Sequence, residues 1–189
     1  MKTSCLIMAS GNNSSFHSNF LYTKWRGSLI WQKLYSVAKE QIDGDVIIVG
    51  LDSEPGNTRN ESVKNGLELI YTERVIIHEA SRPFVTSNHY KILNETHKPS
   101  VTFGSKINGC LLYSDNEYFD KEATIIQNFQ CFDTNLLKEA HASTKNFLAE
   151  EDTCLIKEVH GIDPHIIYNE SIELLKINNR NDFNLLEIL

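Results

Sequence analysis

A three-layer α/β domain built on a mainly parallel sheet is the fold this sequence predicts, and three stretches predict it. Cys5-Leu6-Ile7-Met8-Ala9, Leu29 to Ala38 and Val46-Ile47-Ile48-Val49 read as buried strand, helix with apolar residues at helical spacing, and buried strand. Together they form one βαβ unit, for which parallel pairing and a right-handed crossover are expected. Gly56 to Ile70 then reads as a turn followed by a helix carrying Val63, Gly66, Leu67 and Ile70 on one face. Val75-Ile76-Ile77 is a short apolar run of the kind that fills the centre of a parallel sheet, and the loop after it holds His78, Glu79, Ser81 and Arg82. Open α/β sheets hold their ligands just beyond the carboxyl ends of such strands.

Composition narrows the function classes. The 189 residues, 41% hydrophobic and 23% charged, are sized for a single domain over 1–189 with a substantial core. The net charge of -7 argues against a nucleic-acid binder, which needs clustered Lys and Arg, but leaves room for a small anion in a locally basic pocket. Cys5, Cys110, Cys131 and Cys154 are dispersed without a Cys-x-x-Cys pair, so reduced thiols in a cytoplasmic protein are expected rather than a zinc site. No apolar run approaches the roughly 20 residues needed to span a bilayer, so no membrane partner is expected. The short apolar start, Cys5 to Met8, reads as a first strand rather than a signal peptide.

Past the first strand, Ser10-Gly11-Asn12-Asn13-Ser14-Ser15 is a small-residue loop of the kind that lets backbone N–H groups approach phosphate oxygens; a plain polar loop is the alternative. Trp31 and Tyr35 are read as core. His78 is read as a satisfied structural histidine. Asn88 to Thr96 is a predicted helix. Val101 to Phe103, Gly109 to Tyr113 and Ala123 to Ile126 are predicted strands, with a turn at Ser114-Asp115-Asn116 between the last two. Asn135 to Ala142 is a helix, Asp152 is expected first as a helix cap, and Ile166-Ile167-Tyr168 is a strand.

Two motifs make the sequence more specific. Gly56, Arg59, Ser62, Val63, Gly66 and Leu67, followed by His78, Ala80, Arg82, Pro83 and Phe84, match in order and spacing the paired signature of the 2-C-methyl-D-erythritol 4-phosphate cytidylyltransferase family. There a Gly-Gly-x-x-Arg-x-x-Ser-Val-x-x-Gly-Leu helix start precedes a strand ending His-Asp-Ala-Ala-Arg-Pro-Phe. The chain resembles that family over nearly its whole length, most strongly from Gly56 to Val85 and fairly from Asn128 onward. The resemblance implies a nucleotidyltransferase-like, Rossmann-like fold with a projecting β-arm, here 105–127, that interlocks with a second copy to form a homodimer. It implies attack of a phosphorylated alditol or sugar-like acceptor on the α-phosphorus of CTP, with Mg²⁺ as electrophilic partner and pyrophosphate as product.

The same resemblance distributes roles. Ala9, Ser10, Gly11, Asn12, Gly56, Asn57, Ser62 and Ala80 would bind the nucleotide. Lys24 and Lys176 would be catalytic, and Glu79, Asp152 and Lys176 would hold the acceptor, with Glu79 also near the metal. Arg59 and Arg82 would brace the loops. Several positions depart from the family pattern. Asn13 replaces a glycine, Ser15 stands where an arginine is expected, Glu79 replaces an aspartate, Asn108-Gly109 replaces an Asp-Thr, and Glu151 opens a segment that is Thr-Asp-Asp elsewhere. His17 and Arg26 are the nearby candidates for the missing positive charge. The link from Val49 to Gly56 is also short, which predicts a sheet smaller by one element. These changes leave two further readings open: a catalytically degenerate member that binds nucleotide or serves as a partner subunit, and an enzyme with a different acceptor from cell-surface polysaccharide synthesis.

Overall fold

The computed structural model describes residues 1–9, 22–107, 109, 111–112, 118–119, 122–143, 151–179, 182, 184 and 186. Ten strands are described: β1 (Thr3–Met8), β2 (Lys24–Trp25), β3 (Ser28–Leu29), β4 (Val46–Val49), β5 (Arg74–Glu79), β6 (Ser100–Lys106), β7 (Leu111–Leu112), β8 (Tyr118–Phe119), β9 (Thr124–Asp133) and β10 (His165–Tyr168). Five α-helices accompany them: α1 (Ile30–Lys39), α2 (Arg59–Leu67), α3 (Ser87–Glu95), α4 (Thr134–Ala142) and α5 (Asp152–His160).

Six strands form one sheet in the order β10-β6-β9-β5-β1-β4. β1 runs parallel to both β4 and β5, and β10 runs parallel to β6. β9 is antiparallel to both of its neighbours. The sheet is therefore mixed but mainly parallel, and the central β5 has a parallel partner on one side only. Between β4 and α2 the described chain adds one isolated bridge, Val49 to Ser53, and no further helix or strand.

Helices cover both faces, and β1, β4 and β5 carry apolar runs because both of their faces are buried. Cys5 and Ile7 of β1 and Ile76 of β5 join a core shared with Ile30, Leu34 and Ala38 of α1 and Tyr90 and Leu93 of α3. Their neighbours Leu6, Val75 and Ile77 point the other way, to Val63 and Leu67 of α2, Leu137 and Ala140 of α4, and Leu155 and Ile156 of α5. This alternation is the period-two geometry of a strand applied to a two-sided core. Local signals fix the helix ends. Thr58 caps α2 by accepting from the Glu61 N–H at 3.1 Å, and Asp133 caps α4 by accepting from Asn135 and Leu136. α5 ends at Gly161, whose φ of 70° is the left-handed conformation glycine tolerates best.

Two local expectations change. Tyr35, expected in the core, is 36% exposed, because the buried stripe of α1 runs through Ile30, Leu34 and Ala38 and turns Tyr35 outward beneath Lys39. The strand at Leu111–Leu112 pairs with Tyr118–Phe119, not with the Ala123 to Ile126 run, most of which belongs to the long β9. Strands of two residues are too short for periodicity to register. Lys106 and Thr124 face each other across β6 and β9, and β7 and β8, which lie between them in sequence, pair antiparallel in a separate two-stranded sheet. The expected turn at Ser114-Asp115-Asn116 lies outside the described residues, as does Asn108.

Candidate functional site

Among the described residues, Ala9, Arg59, Glu79, Ala80, Asp152 and Lys176 gather around the carboxyl end of β5. Ala9, just past β1, is buried, and its N–H donates to the Val49 carbonyl at 3.2 Å. Ala80 is also buried, and its N–H donates to Met8 at 3.1 Å, so both alanines close the ends of neighbouring strands. Ser10, Gly11 and Asn12, together with Asn13, Ser15 and His17, lie outside the described residues.

The turn before α2 is built around Ser62. Its buried hydroxyl donates to the Thr58 carbonyl at 2.9 Å and accepts the Gly56 N–H at 3.0 Å. Ser62 thus organises the turn instead of presenting its hydroxyl outward, because α2 begins at Arg59 and places Ser62 on its inner face. The Asn57 N–H donates to Glu61 at 2.7 Å, which fixes the next residue of the turn. A Cβ at Gly56 would lie 2.2 Å from Glu61 Cβ and 2.8 Å from the Ser62 nitrogen. Gly56→Ala is therefore expected to cost about 1–3 kcal/mol by overpacking, read as a lowered urea midpoint at unchanged slope.

From this turn a chain of alternating charges crosses the site. Arg59 Nη2 donates to Asp152 Oδ2 at 2.8 Å and Arg59 Nε to Glu79 Oε1 at 3.3 Å. Glu79 Oε1 also accepts from Asn128 Nδ2 at 2.6 Å. Glu79 Oε2 lies 2.9 Å from Lys176 Nζ, a close ion pair without an aligned hydrogen bond. Asp152 Oδ1 meets His141 Nε2 at 2.9 Å.

Burial alone would raise the Glu79 pKa, but Lys176 and Arg59 outweigh it and hold the carboxyl below its usual range. Burial likewise opposes ionisation of Asp152, yet Arg59 and His141 bring it down to about 2. The guanidinium of Arg59 is held charged, since Asp152 and Glu79 overcome its own desolvation. Glu151 goes the other way: burial raises its carboxyl against the pull of Arg59, and Gln130 Nε2 donates to it at 3.2 Å.

Asp152 was expected as a helix cap and acceptor contact. The cap position falls on Glu151, whose side chain makes no cap hydrogen bond, and Asp152 is fully buried with both oxygens engaged. It holds Arg59 in place. Lys176, in contrast, is 35% exposed and is carried to Glu79 by the C-terminal segment. That segment is tied down where Ile177 N–H donates to the Ser81 carbonyl at 2.8 Å and Arg82 Nη1 donates to the Leu174 carbonyl. The same Arg82 nitrogen donates to Gln127 Oε1 at 2.5 Å, so Arg82 links the β5 loop, β9 and the C-terminal segment.

His78 is wholly buried. Its Nε2 faces the Arg82 carbonyl at 3.1 Å, so Nε2 carries the proton and donates, and Nδ1 accepts from the Tyr90 hydroxyl at 2.5 Å. Burial depresses its pKa from 6.5 to about 4. The unfolded chain therefore takes up a proton near pH 6.5 that the folded chain refuses until about 4. The stability this histidine contributes is present above pH 6.5 and is lost as pH falls toward 4. We expect a loss of about 2 kcal/mol between pH 7 and 5, measured by urea unfolding, with a flatter profile in His78→Gln.

Lys24 is exposed on the β2–β3 hairpin, opposite Leu29. The turn is Arg26-Gly27, both at positive φ, and the Arg26 guanidinium lies 5.2 Å from the Trp25 ring centroid. Trp25 packs edge-on against Phe84 and donates its Nε1–H to the Leu186 carbonyl at 2.6 Å. A groove of about 630 Å³, lined by Trp25, Arg26, Lys33, Phe84 and Glu173 among others, borders this hairpin; of the candidate residues it includes Arg26.

Sequence reasoning missed Asn128 as a Glu79 ligand and missed His141 and Gln127 altogether. A signal for His141 was present: Leu137, Ala140 and His141 share the buried face of α4, and an imidazole on an apolar stripe needs a buried partner. Among the described residues, no group of three or more His, Cys, Asp or Glu side chains is arranged to hold a metal ion. No described helix is long and apolar enough to cross a membrane.

Comparison with known proteins shows the family and agrees with the fold. The family model described as IspD, 2-C-methyl-D-erythritol 4-phosphate cytidylyltransferase, matches residues 38–189. A Clostridium botulinum protein of that name is 26% identical over 221 aligned residues, covering 96% of this chain and 94% of its own. One from Caldicellulosiruptor bescii is 27% identical over 221, covering 100% and 97%. Alignments of 221 residues exceed the 189 present here, so these relatives carry residues this chain lacks. Among solved structures, the bifunctional IspDF of Campylobacter jejuni superposes with a TM-score of 0.82 at 23% identity, covering 97% of this chain. This chain spans 54% of that longer protein. The 2-C-methyl-D-erythritol 4-phosphate cytidylyltransferase of Thermus thermophilus superposes at 0.79 with 20% identity, covering 100% and 98%.

Proposed function

The chain belongs to the 2-C-methyl-D-erythritol 4-phosphate cytidylyltransferase family, and we propose that it transfers CMP from CTP to a phosphorylated alditol or sugar-like acceptor, releasing pyrophosphate. The observation that carries this reading is the Lys176 to Glu79 pair, 2.9 Å apart at the carboxyl end of the central strand, where this fold class receives its ligands. An acceptor phosphate oxygen attacks the α-phosphorus of CTP, a new P–O bond forms, and the bond to the β-phosphate bridging oxygen breaks. Such transfer depends on positioning and on charge stabilisation rather than on covalent participation by the protein.

Lys176 supplies a point charge to the acceptor phosphate, and Lys24 serves the triphosphate. The Gly56-Asn57 turn, held by Ser62 and Glu61, receives the base. Ala9 and Ala80 line the nucleoside side of the strand ends, with Ser10, Gly11 and Asn12 beside the phosphates. Glu79 is the carboxylate we assign to Mg²⁺; its Oε2 is buried and paired with Lys176, so the ion would replace the ammonium at that oxygen, with its other ligands supplied by phosphates and water. When bound, Mg²⁺ would neutralise charge on the triphosphate.

The setting we propose is cytoplasmic, with 105–127 serving as a dimer arm. In support, β7 and β8, which lie between Lys106 and Thr124 in sequence, form a two-stranded sheet apart from the main one, and Ile125 is 53% exposed. The degenerate reading is motivated by the departures at Asn13, Ser15, Asn108 and Glu151, which fall together on positions that serve the chemistry in the family.

Calorimetric titration with CTP and Mg²⁺, against ATP, GTP and UTP, followed by pyrophosphate release with a panel of phosphorylated alditols, separates these readings. CTP-selective binding with acceptor-dependent pyrophosphate release is the expected result. CTP binding without release would leave a degenerate, nucleotide-binding member in front, and no nucleotide binding at millimolar concentration would overturn the enzyme reading and leave the partner-subunit reading in front.

A further inference from the structure

We propose that His141, which lies outside the substrate site, is a positioning residue for Lys176 and acts through Asp152, Arg59 and Glu79. The inference rests on the reading above only in giving Lys176 a role in the reaction. The links are short and continuous: His141 to Asp152 at 2.9 Å, Asp152 to Arg59 at 2.8 Å, Arg59 to Glu79 at 3.3 Å and Glu79 to Lys176 at 2.9 Å. They join α4, α5, α2, β5 and the C-terminal segment, so five parts of the chain are set against one another by four contacts.

The chemistry gives the chain a direction. A carboxylate only accepts, so His141 donates from Nε2 and occupies Asp152 Oδ1, leaving Oδ2 for Arg59. Arg59 then has its Nε aimed at Glu79, whose two oxygens are divided between Arg59 with Asn128 and Lys176. Without the His141 donor, both Asp152 oxygens are left for Arg59, and a bidentate pair is the stronger arrangement. The longest link, Arg59 to Glu79, is the one that gives. Glu79, with less of Arg59, draws in Lys176, and the ammonium is withdrawn from the acceptor phosphate. His141 and Asp152 are almost wholly buried, so water does not replace the lost donor.

Two amide variants isolate this effect. The amide nitrogen of Gln reaches where His Nε2 stands, whereas that of Asn reaches only to Nδ1. We expect His141→Gln to keep kcat for CMP transfer within about threefold, and His141→Asn to lose about tenfold in kcat while CTP affinity stays within about twofold. In parallel, Lys176 acylation by an amine reagent, quantified by mass spectrometry, should slow about threefold in His141→Asn and not in His141→Gln. Equal kcat and labelling in both variants, or equal losses in both at matched stability, would overturn the proposal. If the wild-type protein shows no transfer, the functional reading fails, and Lys176 labelling still decides whether His141 positions it.

Discussion

Arg59→Met is expected to lower folding stability by about 3–5 kcal/mol, the size seen when one partner of a buried ion pair is removed and the other is left uncompensated. The methionine fills the space of the arginine stem, so the loss comes mainly from charge. Asp152 is 0% exposed and would keep His141 as its only described hydrogen-bond partner, and Glu79 would keep Asn128 and Lys176. Urea unfolding at pH 7 measures the loss. A double variant, Arg59→Met with Asp152→Leu, tests its origin: removing both partners should recover much of the stability, because the charge that the single variant strands is gone.

The pH dependence carries the same signature. In the wild-type protein the Asp152 carboxyl sits at about 2, below its ordinary value of 3.8, so its contribution is present above pH 3.8 and is lost as pH falls toward 2. In Arg59→Met the largest cause of that depression is absent. The folded pKa rises, and acid unfolding should begin at a higher pH than in the wild type. An unchanged urea midpoint would mean that Arg59 is not the residue that makes Asp152 tolerable in the core.

The fold was readable because its signals are local. β1, α1 and β4 follow from apolar runs and a helical stripe, and the strand ending at Glu79 follows from Val75-Ile76-Ile77. β9 was harder: its polar start and its Asn128 and Gln130 interrupt the apolar pattern, although both side chains are buried against partners, Glu79 and Glu151. The motif residues were readable as a set but not in their tasks. Ser62 reads as a hydroxyl for a base, yet it faces the turn, since which face of α2 it takes depends on where the helix begins. Asp152 reads as a cap, yet it is a buried counter-ion, because its partners Arg59 and His141 lie 93 and 11 residues away. Pairings at that separation leave no periodic trace in one sequence. Lys176 could be placed beside Glu79 only through the Ile177 to Ser81 and Arg82 to Leu174 contacts that dock the C-terminal segment.

Lys176→Met is expected to lower kcat/KM for CMP transfer by about 10²–10³-fold, the loss typical when a preorganised charge partner for a developing anion is removed. Stability should fall by less than in Arg59→Met. Lys176 is 35% exposed, and Glu79 retains Arg59 and Asn128 on its other oxygen. The partition of the loss carries the mechanism. A lysine that only captures the acceptor phosphate raises the acceptor KM at constant kcat, whereas one that also stabilises the transition state lowers kcat. Because the C-terminal segment is tethered on both sides of Lys176, the ammonium is held near one place, and the reading above predicts that kcat falls. Lys176→Arg should restore only part of the activity, since a planar guanidinium delivers its donors in a fixed fork and would pair with Glu79 in preference to a moving phosphate. Steady-state kinetics on both variants, with CTP binding measured separately, reads this out. If Lys176→Met keeps wild-type kcat and acceptor KM, the charge that serves the reaction lies elsewhere, and Lys24 on the β2–β3 hairpin becomes the residue to vary next.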